Sequence, residues 1–209
     1  MIKFFNYSKA YGSHKILSIS DMILQPGIHW IKGINGSGKS TLLKSIAGII
    51  PFKGDITIDH LSVKTNPVPY RRLVSYSEAE PIYPDFLTAN DLIEFITGAR
   101  GEEKEVKGQL IQYFGVNHFL FQPTGGYSAG MLKKLSLCTA FLGNPTWILL
   151  DEPFAFLDSQ AETILIELIM TKSKSGTNFI LTSHHDIGHD LLSFNSICSI
   201  DNEKMIRIQ

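Results

Sequence analysis

The chain contains little cysteine, little excess charge and no long apolar run. Two of its 209 residues are cysteines, Cys138 and Cys198, and their wide separation gives neither a disulfide framework nor a metal-binding spacing. We expect both to be small buried side chains in a reducing environment. The net charge of -1 argues against a broad basic surface, so we expect no nucleic-acid partner.

Membrane and export signals are also lacking. No stretch approaches the roughly 18 apolar residues that a membrane span needs, and the first six residues do not resemble a signal peptide. We therefore expect a soluble, cytoplasmic chain, or one held at the inner face of the cell membrane by another protein. The length fits one domain spanning residues 1–209, and the 44% of hydrophobic residues suffices for a substantial core.

Local patterns predict an α/β fold. The predicted strands are residues 3–7, 15–19, 28–32, 55–58, 73–76, 146–150 and 178–182, with two edge strands near 197–200 and 204–208. The predicted helices begin at Thr88-Ala-Asn-Asp91, which has capping-box form, and continue at 102–114, 129–142, 159–171 and just after 182. Alternation of strands and helices predicts a parallel sheet covered by helices, with residues 79–126 as an inserted helical subdomain. The short strands that dominate up to about residue 63 are expected to form an N-terminal antiparallel β subdomain.

One glycine-rich segment joins a predicted strand to a predicted helix and matches the phosphate-loop spacing Gly-x4-Gly-Lys-Ser/Thr. Its residues are Gly33, Ile34, Asn35, Gly36, Ser37, Gly38, Lys39, Ser40 and Thr41. Glycines let the backbone wrap closely around phosphates, and the N–H groups at the start of the next helix then face the anion. We expect Lys39 to reach the β- and γ-phosphates of ATP, and the Ser40 hydroxyl to bind Mg²⁺.

An apolar strand ends in two carboxylates, Asp151 and Glu152. In phosphate-loop enzymes an aspartate at such a strand end holds Mg²⁺ through water, and a neighbouring carboxylate positions or deprotonates the attacking water. We expect Asp151 to take the first role and Glu152 the second. The alternative is a loop of solvated acids.

Further motifs resemble those of ATP-binding cassette (ABC) transporter ATPases, and the resemblance covers essentially the whole chain. Residues 127–131, Tyr-Ser-Ala-Gly-Met, are similar to the family signature Leu-Ser-Gly-Gly-Gln, with Ser128 and Gly130 matching. The resemblance implies that this segment opens a helix and binds the γ-phosphate of ATP held by a second subunit. The following Lys133 and Lys134 are interpreted as a solvated helix face.

Three further positions take roles implied by the same resemblance. Tyr11 is expected to stack on adenine, with Tyr7 as the alternative. Asp158 belongs to a loop at the dimer interface and is also suited to cap the next helix. His184 is expected to contact the γ-phosphate, with His185 as its rival; a metal cluster of His184, His185 and His189 is the alternative.

Glu78 stands where the family usually has glutamine. The resemblance implies that this residue ligates Mg²⁺ or its waters, and a carboxylate there adds negative charge beside Asp151 and Glu152. The alternative is an exposed loop acid.

The resemblance implies a head-to-tail dimer of two ATPase subunits, identical or paralogous, that closes on two ATP molecules. It also implies an integral-membrane permease on a separate chain, with the helical subdomain and residues 78–88 as the expected docking region. The signature form and Glu78 are similar to multidrug and antibiotic exporters. Haem export in cytochrome c maturation and a non-transport ABC ATPase are the alternatives.

Overall fold

The computed structural model describes residues 1–101, 104–184 and 192–209. Its strands are β1 (Ile2–Tyr11), β2 (His14–Leu24), β3 (Ile28–Lys32), β4 (Lys53–Ile58), β5 (Leu61–Ser62), β6 (Val74–Ser77), β7 (Trp147–Leu150), β8 (Asn178–Ser183), β9 (Ser196–Asp201) and β10 (Lys204–Arg207). They form one sheet in the order β5-β4-β1-β2-β10-β9-β3-β8-β7-β6. The strands β9, β3, β8, β7 and β6 are parallel, as predicted, while β1 pairs antiparallel with β2 and β4.

The helices cover both faces of the parallel strands. They are α1 (Lys39–Ile46), α2 (Pro67–Arg72), α3 (Ala89–Arg100), α4 (Lys104–Tyr113), α5 (Ala129–Ala140) and α6 (Ser159–Lys174). Alternate residues of β7 enter two cores: Trp147 and Leu149 join the core that contains α1, whereas Ile148 and Leu150 join the core that contains α5 and α6. Strands covered on both faces are continuously apolar, which explains the run Trp-Ile-Leu-Leu.

Residues 79–126 begin with a non-helical stretch, 79–88, and the helices of this segment follow it. The segment contains α3, α4 and two short 3-10 turns, at Val116–His118 and Thr124–Gly126. The predicted capping box at the start of α3 is present, because the Thr88 side chain accepts from the Asp91 N–H and the Asp91 carboxylate accepts from the Thr88 N–H. Whether this segment is a separate subdomain stays a prediction.

The last two strands of the chain lie inside the sheet. The strands near 197–200 and 204–208 were expected at an edge, but β9 pairs with β3 and β10, and β10 also pairs with β2. The edges of the sheet are β5 and β6 instead. The short helix predicted after residue 182 falls mainly on 185–191, outside the described residues.

Both cysteines are buried thiols, as predicted. Burial raises the pKa of Cys138 to about 12. In the part of the chain that the structure describes, no helix combines the length and apolar character needed to cross a bilayer.

Candidate functional site

The glycine-rich loop connects β3 to α1 with backbone angles that favour glycine. Gly36 has a φ of +79° and Gly38 a φ of +104°, a region that side-chain-bearing residues rarely occupy. At Gly33 an added Cβ would lie 2.5 Å from the Ser37 hydroxyl oxygen, so only glycine lets the loop close on itself. At Gly36 and Gly38 the loop therefore presents backbone rather than a side chain to the adjoining space.

Helix α1 begins at this loop with an uncapped N-terminus. Its N-cap residue is Gly38, which has no side chain to satisfy the first N–H groups of the helix. The helix dipole adds positive potential at the same end. The Lys39 ammonium donates to the carbonyl oxygens of Gly33 at 2.7 Å and Ile34 at 3.3 Å, so it lies folded over the loop. The uncapped N–H groups at the start of α1 and the Lys39 ammonium together form an anion-binding site.

The carboxylate of Glu152 faces this loop from the end of β7. Its Oε1 lies 3.5 Å from the Lys39 Nζ, and its Oε2 lies 3.0 Å from Nδ1 of His184, just after β8. The Glu152 backbone has a φ of 45°, a left-handed conformation that costs roughly 1 kcal/mol or more outside glycine. Its N–H donates to Oγ1 of Thr182 at 3.0 Å, which helps to hold this turn.

Asp151 is almost completely buried, with 1% of its surface exposed. Two hydroxyl groups orient its carboxylate: Thr182 Oγ1 donates to Oδ1 at 2.6 Å, and the Tyr76 hydroxyl donates to Oδ2 at 3.1 Å. Burial, followed by the charge of Asp151, raises the pKa of Tyr76 far above its ordinary value, so this hydroxyl stays a donor. Both oxygens of Asp151 are thus held by hydroxyl groups of the protein.

These elements enclose a cleft of about 440 Å³. It is lined by Ile16, Asn35, Gly36, Gly38, Lys39, Ser40, Thr41, Ala79, Glu80, Glu152, Ala155, Phe156 and His184. The structure thus brings the loop residues, Glu152 and His184 together around one space, with Asp151 directly behind Glu152.

Glu78 follows β6 and points toward α1. Its Oε2 lies 3.6 Å from the Lys44 Nζ, and its side chain is partly exposed. It does not line the cleft, although its neighbours Ala79 and Glu80 do. The extra negative charge expected at this position is therefore balanced by a lysine, as that of Glu152 is balanced by Lys39.

Lys133 contradicts the interpretation of a solvated helix face. Its side chain is 0% exposed, and its ammonium donates to the backbone carbonyls of Glu78 and Asp151, at 2.7 Å each. Helix α5 runs through the core, so its Lys133 position faces the ends of β6 and β7 rather than solvent. Lys134 is more exposed and pairs with Asp158 at 2.6 Å.

Ser128, Gly130 and Asp158 lie at helix starts around a second cleft, of about 990 Å³. Ser128 is the N-cap of α5 and accepts from the Met131 N–H at 3.2 Å. Asp158 is the N-cap of α6 and accepts from the Ala161 N–H at 2.8 Å. The hydrogen bond from Lys134 is the main reason that the pKa of Asp158 is lowered. Phe156 borders both clefts.

Tyr11 is exposed at the end of β1, with 54% of its surface accessible. The Lys9 ammonium lies 4.3 Å from the centre of its ring, a cation–π arrangement. Tyr7 is wrong as the alternative for base stacking, because it is 1% exposed and its hydroxyl bonds to Ser45 in the core. Tyr11 is thus the aromatic side chain available at this end of β1.

A family model described as ABC transporter matches residues 18–155. The chain belongs to the ABC transporter family. It is 30% identical over 195 residues to ATP-binding cassette sub-family A member 2 of Rattus norvegicus, covering 88% of this chain but 8% of that protein. It is also 31% identical over 166 residues to the cytochrome c biogenesis ATP-binding export protein CcmA of Legionella pneumophila, covering 77% of this chain and 80% of that protein.

A solved structure of an ATP-binding subunit of an ABC transporter superimposes with a TM-score of 0.88 at 24% identity, covering 100% of this chain and 90% of the other. The α/β architecture is therefore that of an ABC ATPase, as predicted. This likeness concerns the fold.

The donor set of this ABC ATPase fold fits a nucleoside triphosphate with Mg²⁺. The loop backbone, the α1 N-terminus and Lys39 supply groups for phosphate, and the Ser40 hydroxyl and the oriented Asp151 carboxylate are hard oxygen donors of the kind Mg²⁺ prefers. The alternative metal cluster gains no support in the described residues, which hold no group of three metal-binding side chains. His184 pairs with Glu152, while His185 and His189 lie outside the described residues.

Sequence reasoning missed Tyr76, Thr182 and Lys133 as parts of the site. Tyr76 and Thr182 are polar residues within buried strands that end beside Asp151, and their place in the sheet was the available signal. Lys133 stands four and seven residues before the buried Leu137 and Ala140, a spacing that places it on the same helix face.

Proposed function

We propose that this chain is the ATP-binding and ATP-hydrolysing subunit of an ABC transporter, and that ATP-driven closure of a dimer drives a permease on a separate chain. The observation that carries the proposal is the position of Glu152 between Lys39 and His184, across the cleft from the phosphate loop. This arrangement sets a carboxylate beside the place where the γ-phosphate would bind.

Each residue then has a defined chemical role. Lys39 and the α1 N-terminus neutralise the phosphates, and Ser40 and Asp151 would hold Mg²⁺, which supplies charge neutralisation of the leaving group when bound. Glu152 orients the attacking water and accepts its proton, and His184, hydrogen-bonded to Glu152, steadies that carboxylate and reaches the γ-phosphate. Glu78 would contact a water bound to Mg²⁺ if its pairing with Lys44 opened.

The second cleft supports a composite site. Ser128 and Gly130 line the second cleft and not the cleft of Lys39, which supports a site that another subunit completes. In the proposed head-to-tail dimer the helix N-terminus at Ser128 binds the γ-phosphate held by the other subunit, and Tyr11 stacks on adenine, a contact worth about 1–3 kcal/mol per base. The other subunit is a second copy or a paralogue.

Residues 78–88 supply the proposed contact for the permease. Ile82 and Phe86 in this stretch, and Phe95 on α3, are large apolar side chains that lie mostly exposed. Ile82 also lines a groove of about 320 Å³ that reaches Tyr76 and Glu78. Exposed apolar side chains in number mark interaction sites. The groove with Ile82 lies at the end of β6, which pairs with β7, the strand that leads to Asp151. The chain would thus be held at the cytoplasmic side of a membrane by its permease.

We propose export as the direction of transport, on the likeness of the signature segment and Glu78 to drug exporters. Haem export has the Legionella relative in its favour. The rat relative matches a longer part of the chain at nearly equal identity, so we do not adopt the haem alternative.

A mixing experiment tests the composite ATPase site. Glu152→Gln and Ser128→Arg each inactivate one half of a site, so each variant alone should release little phosphate. Mixed in equal amounts, they form heterodimers in which one of the two sites has both halves intact, and about a quarter of wild-type activity should return.

The matched control mixes Lys39→Ala with Glu152→Gln. Both lesions lie in the same half of the site, so every site in that mixture carries a defect and no activity should return. Equal recovery in both mixtures, or an active wild type with no recovery in either, would contradict a site shared by two copies of this chain.

A further inference from the structure

We propose that Lys133 is a positioning residue for hydrolysis, which ties helix α5 to the backbone at the ends of β6 and β7. The inference rests on the proposed function, because it concerns how the ATP site is positioned relative to the docking region, residues 78–88, and the signature segment, residues 127–131.

The contacts of Lys133 go to backbone carbonyls of two different strand ends. Its ammonium donates to the carbonyl oxygens of Glu78 and Asp151, both at 2.7 Å, and lies 3.5 Å from that of Ala79. These are charge-assisted hydrogen bonds, which are about twice as strong as neutral ones. A second tie joins the same two strands, because the Asp151 N–H donates to the Ser77 carbonyl at 3.0 Å.

Packing alone does not account for a lysine at this place. A buried charge is costly unless it is hydrogen-bonded, and the burial lowers the pKa of Lys133 to about 8, although the charges of Asp151, Glu152 and Glu78 oppose this shift. A methionine of similar length would fill the same volume of α5 without that cost. Burial of the Lys133 ammonium therefore lowers the stability of the fold, while its hydrogen bonds fix the geometry of the two strand ends.

The three segments joined by Lys133 lead to three different surfaces: the second cleft, the groove with Ile82 and the first cleft. Helix α5 begins at Ser128 in the second cleft. The backbone of Glu78 leads into the groove with Ile82, and the backbone of Asp151 leads directly to Glu152 in the first cleft. A displacement of residues 78–82 by a partner would therefore be transmitted through the Lys133 ammonium to the turn that aims Glu152.

Lys133→Met tests this inference, with Lys174→Met at the exposed end of α6 as the charge-matched control. We expect kcat for ATP hydrolysis to fall about tenfold in Lys133→Met while KM for ATP changes less than twofold, since the phosphate loop is untouched. The second readout is hydrogen–deuterium exchange of the chain alone. Peptides that contain residues 77–80 and 150–152 should exchange faster in Lys133→Met, and the rest of α5 and the β1–β2 hairpin should not.

Lys133→Gln separates hydrogen bonding from charge. Its amide keeps N–H donors without the charge, so we expect a kcat between those of wild type and Lys133→Met. If Lys133→Met does not fold, Lys133→Gln decides: a threefold or larger drop in kcat with local acceleration of exchange supports the inference, and wild-type kcat with wild-type exchange overturns it.

Two further outcomes would also overturn the positioning role. One is wild-type kcat in folded Lys133→Met; the other is an evenly raised exchange across the whole chain, which would indicate a purely structural lysine. Failure of the proposed function looks different, because the wild-type chain itself would then neither bind nor hydrolyse ATP.

Discussion

The Nζ atom of Lys39 lies 3.5 Å from Oε1 of Glu152, so the cation expected to hold phosphate contacts the carboxylate expected to face the attacking water. Both side chains are largely buried, which strengthens their attraction relative to a surface pair. A γ-phosphate that takes the Lys39 ammonium must therefore compete with Glu152. Binding of the phosphate would release this carboxylate toward water at the same moment.

Glu152→Gln should bind ATP at least as tightly as wild type and lose most turnover. The amide no longer competes as an anion for Lys39, and it cannot accept a proton from water. An ATP-dependent dimer should then accumulate, because hydrolysis no longer opens it. Phosphate release measures turnover, and size-exclusion chromatography with Mg²⁺ and ATP measures the dimer. Unchanged turnover would exclude Glu152 as the catalytic base.

Lys39→Ala should abolish detectable ATP binding. The variant removes a buried ammonium that stands over the loop carbonyls and leaves the helix N-terminus alone to neutralise the phosphates. Titration with a fluorescent ATP analogue checks the affinity. Lys107→Ala in α4 removes a partly buried lysine that pairs with Glu94 and does not line the cleft, so this variant should bind ATP as wild type does. Micromolar affinity retained in Lys39→Ala would contradict the phosphate-loop assignment.

Local sequence patterns predicted the features of the site and of the fold that depend on residues close together in the chain. The phosphate loop, the acidic end of β7 and the capping box at Thr88 are each set by neighbours within a few residues, and local patterns report such neighbours directly. Helix α2 was missed because Pro67 and Pro69 suggest a break. A proline in the first turn is compatible with a helix, since its missing N–H has no intrahelical acceptor.

The remaining features depend on contacts between distant residues. Strand β10 enters the sheet interior through its pairing of Lys204 with Ser18, and no local pattern reports a partner so far along the chain. The two adjacent lysines at 133 and 134 look alike in the sequence. They differ because only Lys133 meets the ends of β6 and β7, which are brought together by a parallel pairing across the sheet.

Tyr76→Phe should weaken the binding of the Mg²⁺ that ATP hydrolysis requires. The variant deletes the hydroxyl that donates to Asp151 Oδ2, and a hydrogen bond to a charged group contributes about 1.5–3 kcal/mol. We expect the half-saturating Mg²⁺ concentration to rise about tenfold, because Thr182 alone then orients the carboxylate. Tyr70→Phe is the matched control: its hydroxyl donates to the Ile46 carbonyl in the core, away from Asp151.

Comparison of Tyr76→Phe with Tyr70→Phe distinguishes an effect on the stability of the fold from an effect on Mg²⁺ binding. Both should lower the melting temperature, since each loses a buried hydrogen bond. Only Tyr76→Phe should shift the Mg²⁺ titration. An equal shift in Tyr70→Phe would mean that general loosening, not the orientation of Asp151, sets the metal affinity.

His29 should make the folded chain less stable in mild acid. It is buried, and burial is the main cause of its lowered pKa. The geometry fits the neutral ring, with Nε2 donating to the Gln25 carbonyl at 2.6 Å and Nδ1 accepting from the Ser196 hydroxyl at 2.7 Å. Because the unfolded chain binds this proton at a higher pH than the folded chain does, the free energy of unfolding falls as the pH drops below the ordinary histidine value of about 6.5.

Urea unfolding between pH 7.5 and about 5 measures this effect, and one proton contributes at most about 1.4 kcal/mol per pH unit. His29→Gln loses the buried ring and its contacts, so it should be less stable than wild type at neutral pH. Because glutamine does not titrate, its free energy of unfolding should fall less steeply toward acid. His60→Gln, at an exposed position, should keep the wild-type slope. If His29→Gln also keeps the wild-type slope of unfolding free energy against pH, the acid sensitivity comes from other groups, because removing the His29 ring would not have changed that slope.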